Sequence, residues 1–233
     1  MISPVDIMKR VGVGGRLVPF FKCVCVYFVA LGAGGGAPSP AAVAAKCAPV
    51  LCLLLVVLLH HAALPYHKGW YARRVACGLA LSALGDALLV WPQHFVAGMA
   101  AFASAHLAYI AAFRFSPLDL PAGAALYAAT ALYLTRVSPP EGLRALVPGY
   151  GALLATMAWR GAARGPGRPA AARAGALLFL LSDAILGYSL FGGPVPYKQV
   201  LVMATYYLGQ LGIALSALQA APPAAAAPLA PAA

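Results

Sequence analysis

Charged residues are scarce in this 233-residue sequence. They make up 9% of the chain, hydrophobic residues make up 63%, and only five positions are Asp or Glu. A soluble domain of this size needs a charged surface around its core, and this chain has too few charges to cover one. The composition therefore excludes an ordinary soluble protein and indicates a polytopic membrane protein.

The sequence also lacks the patterns of metal, redox and nucleic-acid-binding proteins. Its five cysteines form no C-x-x-C pair and no cluster with histidine at metal-ligand spacing. We therefore interpret them as small apolar side chains without a redox or metal-binding role. The net charge is +11, but the sixteen Lys and Arg are scattered between apolar runs. That distribution is typical of membrane topology. We expect no metal, no cofactor and no nucleic-acid partner.

Apolar runs of about the length that crosses a bilayer occur eight times. Connections rich in Gly and Pro, such as GAGGGAPSP and RGAARGPGRP, separate them. The pattern predicts an all-α membrane bundle of about eight transmembrane helices: 17–31, 41–59, 75–91, 95–113, 120–134, 143–159, 174–191 and 199–218. The fifth run is short and has Pro121 near its start. If it does not cross the membrane, every later helix inverts.

We expect three parts in the chain. Residues 1–16 form a basic cytosolic tail, residues 17–219 form the membrane domain, and the Ala/Pro-rich residues 220–233 form a disordered cytosolic tail. The first run is followed by no clear small-residue cleavage site, so we interpret it as a retained span.

The distribution of cations predicts the orientation of the bundle. Eleven Lys and Arg fall on the side of the N-terminus: Lys9, Arg10, Arg16, Lys68, Arg73, Arg74, Arg114, Arg160, Arg164, Arg168 and Arg173. The other side has four, which are Lys46, Arg136, Arg144 and Lys198, and Lys22 inside the first run is left out. Both termini are therefore expected to be cytosolic.

Two aspartates lie inside apolar runs with similar surroundings. LSALGDALL (81–89) and LFLLSDAIL (178–186) each place an aspartate, followed by Ala and an aliphatic pair, in the third helix of a four-helix half. The likeness predicts a four-plus-four internal repeat with Asp86 and Asp183 at similar depth near mid-membrane. An ionised carboxylate there costs about 3 kcal/mol by insertion scales. We therefore expect the pair to have a function.

Other polar residues in the runs are candidates for supporting this pair: Lys46, Ser82, His106, Tyr109, Ser182, Tyr206, Tyr207 and Gln210. Several are three or four residues apart, as Ser82 is from Asp86, so they share helix faces that we expect to converge. A lone Ser, Tyr or Gln in a membrane helix usually joins helices. Lys46 either extends to the headgroups or pairs with an aspartate.

Two carboxylates in a site of low dielectric do not both ionise cheaply, so one is expected to be protonated and the other ionised. Such a pair provides a general acid together with a general base or charge stabiliser, which indicates acid–base hydrolysis. Three alternatives remain. An intramembrane aspartyl protease is the first, although Ala83 departs from its G-x-G-D motif and Ser182 stands where Tyr is expected. A proton-coupled transporter and a non-catalytic scaffold are the others.

Four segments together resemble the lysoplasmalogenase family of YhhN-like multi-pass membrane proteins. They are CGLALSALGDALL, FVAGMAAFASAHLAYIAAF, GALLFLLSDAIL and TYYLGQLGIALSA, and the resemblance covers roughly residues 46–217. It implies hydrolysis of the vinyl ether bond of lysoplasmalogens to a fatty aldehyde and glycerophosphocholine or glycerophosphoethanolamine. The motif aspartates correspond to Asp86 and Asp183, and the eight polar residues above to the positions around them.

The resemblance also implies the setting and the chemistry. The partners are the lipid substrate and the bilayer, and the membrane is the endoplasmic reticulum. The sequence leaves open whether the chain also forms a homodimer. A protonated carboxyl would give a proton to the carbon beta to oxygen, and water would capture the oxocarbenium ion. The second, ionised carboxylate would steady the cation and take a proton from water. His106 and the tyrosines would orient these groups, and Lys46 and Lys198 would meet the phosphate.

Overall fold

The computed structural model describes residues 13–32, 36–62, 69–163 and 169–219. These segments contain eight long helices and no strand: α1 Val13–Leu31, α2 Pro40–Ala62, α3 Trp70–Leu88, α4 Phe95–Phe113, α5 Leu120–Leu134, α6 Leu146–Ala162, α7 Ala170–Phe191 and α8 Lys198–Gln219. Short 3-10 helices, Pro92–His94 and Glu141–Leu143, precede α4 and α6. The all-α prediction is confirmed, and each predicted run corresponds to one helix.

Five of the described helices are long and apolar enough to cross a membrane, namely α1, α2, α4, α7 and α8. Two others are shorter, with 15 residues in α5 and 17 in α6. The 19-residue α3 contains Arg73, Arg74 and Asp86. The chain is therefore an integral membrane protein with five apolar helices by length and composition, and the count of eight spans stays a prediction.

The predicted tails lie almost wholly outside the described residues. Residues 1–12 and 220–233 are not described, and residues 13–16, which we expected in the N-terminal tail, form the first turn of α1. Arg160 also differs from its expected place in a connection. It lies inside α6, is fully buried, and donates hydrogen bonds of 2.5–2.7 Å to the carbonyl oxygens of Arg114, Pro117 and Leu118.

Consecutive helices run in opposite directions. Arg114 at the end of α4 lies over the Trp70 ring at the start of α3, 3.8 Å from its centroid, and Tyr71 hydrogen-bonds Ser216 near the end of α8. The opposite end is where α3 and α7 end and where α2, α4 and α8 begin, and we call it the aspartate end. The last helix, α8, packs along α7 and also contacts α2 and α3, so it lies at the centre of the bundle.

Glycine allows α7 and α8 to touch backbone to backbone. A Cβ atom at Gly175 on α7 would lie 2.6 Å from the Ile213 amide nitrogen and 2.7 Å from the Gly209 carbonyl oxygen on α8. Small residues at such contacts are the usual way in which membrane helices pack closely, because lipid supplies no hydrophobic force between them. This contact fixes the position of α7, which carries Asp183, against α8, which carries Tyr206.

We expect Gly175→Ala to destabilise the bundle by about 1–3 kcal/mol, because backbone atoms cannot move aside without separating the two helices. Gly149→Ala on α6 is the matched control, since nothing lies within 4 Å of the Cβ it would add. The control should be neutral or stabilising by up to about 1 kcal/mol. Thermal unfolding in detergent measures both variants, and equal shifts in Tm would contradict the close contact.

Candidate active site

One cavity contains both aspartates in its wall. It has a volume of about 250 Å³, and Asp86 on α3 and Asp183 on α7 line it together with apolar side chains such as Phe102, Leu154 and Met203. Asp86 lies two residues before the end of α3, and Asp183 lies eight residues before the end of α7. Both are thus in the half of the bundle nearer the aspartate end. Their matched depth in the bilayer stays a prediction.

Asp86 is enclosed by protein groups. It is 1% exposed, its Oδ2 accepts a hydrogen bond of 2.7 Å from the Tyr206 hydroxyl, and its Oδ1 lies 3.6 Å from Lys46 Nζ. Of the two predictions for Lys46, the structure therefore shows the pairing with an aspartate. A buried carboxylate with a cation and a hydroxyl donor beside it can hold a negative charge where an isolated one could not.

A chain of hydrogen bonds supports Tyr206. The Tyr109 hydroxyl donates to Gln210 Oε1 over 2.7 Å, and Gln210 Nε2 donates to the Tyr206 oxygen over 3.2 Å. Because both ends of the Gln210 amide are engaged, its orientation is fixed. Tyr206 therefore has its own proton directed at Asp86. Tyr109 and Gln210 do not line the cavity and act on Asp86 only through Tyr206.

Asp183 has a different set of neighbours. Its Oδ2 accepts a hydrogen bond of 2.6 Å from the Tyr150 hydroxyl and lies 3.8 Å from His106 Nε2. His106 Nε2 is 3.0 Å from the Tyr150 oxygen. Since Tyr150 has one proton and gives it to Asp183, its oxygen accepts from His106, so His106 Nε2 carries a hydrogen. His106 Nδ1 is buried and has no hydrogen-bond partner among the described residues.

The second oxygen of Asp183 remains available. Oδ1 has no hydrogen-bond partner among the residues that the structure describes, and the side chain of Asp183 is 15% exposed, compared with 2% for Asp86. The two carboxylates therefore differ in access. Asp86 is enclosed, whereas Asp183 presents an oxygen to the cavity.

Three of the predicted supporting residues form no hydrogen bond with an aspartate; two of them join helices, and the third has no hydrogen-bond partner among the described residues. Tyr207 donates to the Lys46 carbonyl oxygen over 2.9 Å, and Ser182, although it lines the cavity, donates to the Val202 carbonyl oxygen over 2.9 Å. Ser82 is fully buried near Tyr109, and its hydroxyl makes no hydrogen bond of normal geometry within the described part of the chain. The expected convergence thus holds for Lys46, His106 and Tyr206 directly.

Sequence reasoning missed Tyr150, which makes the shortest contact to Asp183, and Tyr133, which lines the cavity and donates to the Ala184 carbonyl oxygen. Tyr150 stands between two glycines in an otherwise apolar run. A lone hydroxyl in such a run was a usable signal, because a buried tyrosine hydroxyl usually finds a partner.

We expect Tyr150→Phe to lower the kcat of the expected hydrolysis about 10- to 100-fold, because Asp183 loses a hydrogen-bond donor and His106 Nε2 loses its acceptor. KM should change by less than about threefold, since the ring still fills the cavity wall. The matched control is Tyr127→Phe on α5, whose hydroxyl bonds Thr156 away from the cavity. A loss confined to KM, with kcat intact, would contradict this role of Tyr150.

The cavity offers groups for proton transfer. It combines two carboxylates, tyrosine hydroxyls and one ammonium group inside apolar walls. Within the described segments no group of three or more His, Cys, Asp or Glu is arranged to hold a metal ion. Such a site can protonate a bound molecule, stabilise the cation that results, and shield it from bulk water.

Comparison with known proteins identifies relatives along almost the whole chain. The YhhN family model matches residues 41–217. Lysoplasmalogenase TMEM86A of Homo sapiens is 39% identical, over 96% of this chain and 96% of that protein. Lysoplasmalogenase TMEM86B is 41% identical in Homo sapiens, over 89% and 88%, and 36% identical in Rattus norvegicus, over 94% and 90%. No solved structure matches the chain.

Proposed function

Because this chain belongs to the YhhN family, we propose that it is a lysoplasmalogenase, which hydrolyses the vinyl ether bond of lysoplasmalogens to a fatty aldehyde and a glycerophosphodiester. The observation that carries the proposal is the cavity lined by both Asp86 and Asp183. A vinyl ether needs a proton donor and a nearby negative charge, and both can come from such a carboxylate pair. The lipid substrate can enter from the bilayer in which the protein resides.

We assign the proton donor to Asp183. A donor must touch the carbon that it protonates, and Asp183 is the carboxylate with a free oxygen and access to the cavity. Protonated Asp183 gives its proton to the vinyl carbon beta to oxygen, and the electron pair of the double bond forms the new C–H bond. The adjacent carbon becomes an oxocarbenium ion.

Asp86 stabilises this cation. One of its oxygens accepts the Tyr206 hydrogen bond and the other forms an ion pair of 3.6 Å with Lys46, so Asp86 acts as a fixed negative charge at the cavity wall. Lys46 balances that charge in the resting enzyme, and charge fixed in advance costs no reorganisation when the cation forms.

The remaining steps return Asp183 to its starting state. Water attacks the oxocarbenium carbon and gives one proton to the Asp183 carboxylate, which forms the hemiacetal. Asp183 then protonates the glycerol oxygen as the C–O bond breaks, and it recovers a proton from the hemiacetal hydroxyl as the aldehyde forms. The sum is one vinyl ether and one water converted to one aldehyde and one alcohol.

We also propose that all eight helices cross the membrane as two related four-helix halves. The helix contacts support this, because each pair of helices packed together in one half has a counterpart related to the other half. The pair α3–α4 corresponds to α7–α8, α2–α3 corresponds to α6–α7, and the contact between α4 and α6 corresponds to that between α8 and α2. Polar side chains on α2 and α8 contact Asp86, and polar side chains on the equivalent helices α6 and α4 contact Asp183. Gly78 and Gly175 each precede an aspartate by eight residues. At each of these two positions, atoms of a neighbouring helix leave no room for a Cβ atom.

The orientation that we propose places both termini in the cytosol and the aspartate end on the other side of the endoplasmic reticulum membrane. Several arginines near the opposite end support it: Arg16, Arg73, Arg74, Arg114 and Arg173. The accessibility of epitope tags at the two termini to antibodies in selectively permeabilised cells tests this orientation.

The test of the function is the release of aldehyde by the purified protein in detergent, without a gradient. We expect turnover of lysoplasmalogen and none of the matched saturated alkyl ether lysolipid, because only the vinyl ether accepts a proton on carbon. In D₂O, with immediate trapping of the aldehyde by reduction, one solvent deuterium should appear on the carbon next to the former carbonyl. Absence of turnover would overturn the proposal, and turnover without the label would overturn protonation on carbon.

A further inference from the structure

A second cavity of about 480 Å³ lies beside the first one, at the aspartate end of the bundle. It is bounded by the end of α1, the connection 36–38, and the first turns of α2 and α8. Its volume falls within the range of about 300–1,000 Å³ that is usual for small-molecule sites. No step of the proposed reaction uses it, although it shares part of its wall, including Lys46, Leu89 and Val202, with the cavity of the aspartates.

Its polar groups are arranged to donate hydrogen bonds. Gln199 Nε2 on α8 donates to the Tyr27 hydroxyl oxygen on α1, and Tyr27 is fully buried. Neither side chain has another hydrogen-bond partner among the described residues. Whichever way the Gln199 amide is turned, two of the three N–H and O–H groups of this pair have no acceptor. Gln199 retains a second N–H. A buried donor without an acceptor is costly, so a ligand rich in acceptor oxygens would satisfy it.

Lys46 supplies the charge for such a ligand. It lines both cavities, and at 3.6 Å from Asp86 Oδ1 its ammonium group is beyond an ordinary hydrogen bond. Its N–H groups are thus able to turn toward the second cavity. Lys198, which we expected to meet the phosphate, is exposed and lines neither cavity.

We propose that the second cavity binds the phosphodiester headgroup of the lysolipid, with Tyr27 and Gln199 as hydrogen-bond donors and Lys46 as the cation. This inference rests on the proposed function. In a lysoplasmalogen the glycerol carbons separate the phosphate from the vinyl ether. The two cavities are likewise separated by the wall that they share at Lys46, so the glycerol would lie at this wall. The alkenyl chain then lies in the apolar cavity and the phosphate in the donor-lined one.

The experiment compares two vinyl ether substrates in the same detergent micelles: lysoplasmenylethanolamine and 1-O-alkenylglycerol, which has no phosphate. Gln199→Glu should raise KM for the phosphate-bearing substrate about tenfold, because it adds a negative charge to the headgroup cavity and replaces the amide donor with a carboxylate that accepts from the Tyr27 hydroxyl. The increase should be at least about fivefold larger than for 1-O-alkenylglycerol. Tyr27→Phe, which removes one neutral donor, should give the same selective effect at about threefold.

Matched controls come from the same end of the bundle. Gln93→Glu adds the same charge at an exposed position of the 3-10 helix, and Tyr197→Phe removes the hydroxyl of a tyrosine that is 77% exposed. Neither should separate the two substrates. Glycerophosphoethanolamine should inhibit the wild-type enzyme competitively, and Gln199→Glu should weaken that inhibition, whereas equal inhibition by inorganic phosphate would indicate a general anion site in place of a headgroup site and overturn the proposal.

The results separate the two proposals. If the wild type cleaves both substrates and Gln199→Glu affects them equally or not at all, the headgroup assignment is wrong and the function stands. If the wild type releases aldehyde from neither substrate, the proposed function fails and this inference fails with it.

Discussion

Asp183→Asn should lower kcat for lysoplasmalogen at least about 10³-fold, since it removes the group that protonates the vinyl carbon. Asparagine has nearly the same shape and can still accept the hydrogen bond from Tyr150, so the cavity should keep its geometry. KM should change little, because the carboxyl contributes to the transition state more than to binding of the lipid. Aldehyde release by purified protein, with size-exclusion chromatography as a check of folding, measures the effect.

The control for this variant is Glu141→Gln, which removes an exposed carboxylate from the 3-10 helix before α6. It should retain kcat within about twofold, as surface substitutions usually do. A further variant, Asp183→Ala, opens space for a small acid, and added formic acid should restore part of the turnover. If Asp183→Asn keeps more than about a tenth of the wild-type kcat, Asp183 is not the proton donor.

The helices could be predicted from the sequence because Gly- and Pro-rich connections separate apolar runs that are long enough to cross a bilayer. The observed α4 and α5 begin and end at the predicted residues. The start of α3 was placed five residues late, because Arg73 and Arg74 were assigned to a connection on account of their charge. In the structure both are helical, and the Arg74 guanidinium lies over the Trp70 ring. Hydropathy does not reveal such a contact, which depends on the aromatic side chain.

Only part of the candidate site could be predicted from the sequence. Helical spacing correctly placed Tyr206 and Gln210 on one face, because four residues make about one turn. Spacing says nothing about how helices are rotated against each other, so it could not show that Tyr150 meets Asp183 across two helices. For the same reason Tyr207, next to Tyr206 in the sequence, was expected at the site but faces the backbone of α2.

Asp86→Asn should lower kcat roughly 10²–10³-fold, by a different cause. The substitution removes the negative charge that balances the developing oxocarbenium ion, and it leaves the Lys46 ammonium as an unpaired cation beside the reaction. The variant should still bind lipid and should incorporate solvent deuterium in the little aldehyde that it forms, because Asp183 is intact. Single-turnover rates in H₂O and D₂O provide the measurement.

A second substitution separates the charge effect from a structural one. In the Asp86→Asn background, Lys46→Met removes the unbalanced cation and should raise kcat about tenfold over that of the single variant, because repulsion of the cationic transition state is relieved. Lys46→Met in the wild-type background should not raise kcat. If Asp86 served only to hold α3 against α2 and α8, removal of its remaining partner would weaken the bundle further and lower turnover. Recovery in the double variant and loss in the single one is therefore the result that only an electrostatic role predicts.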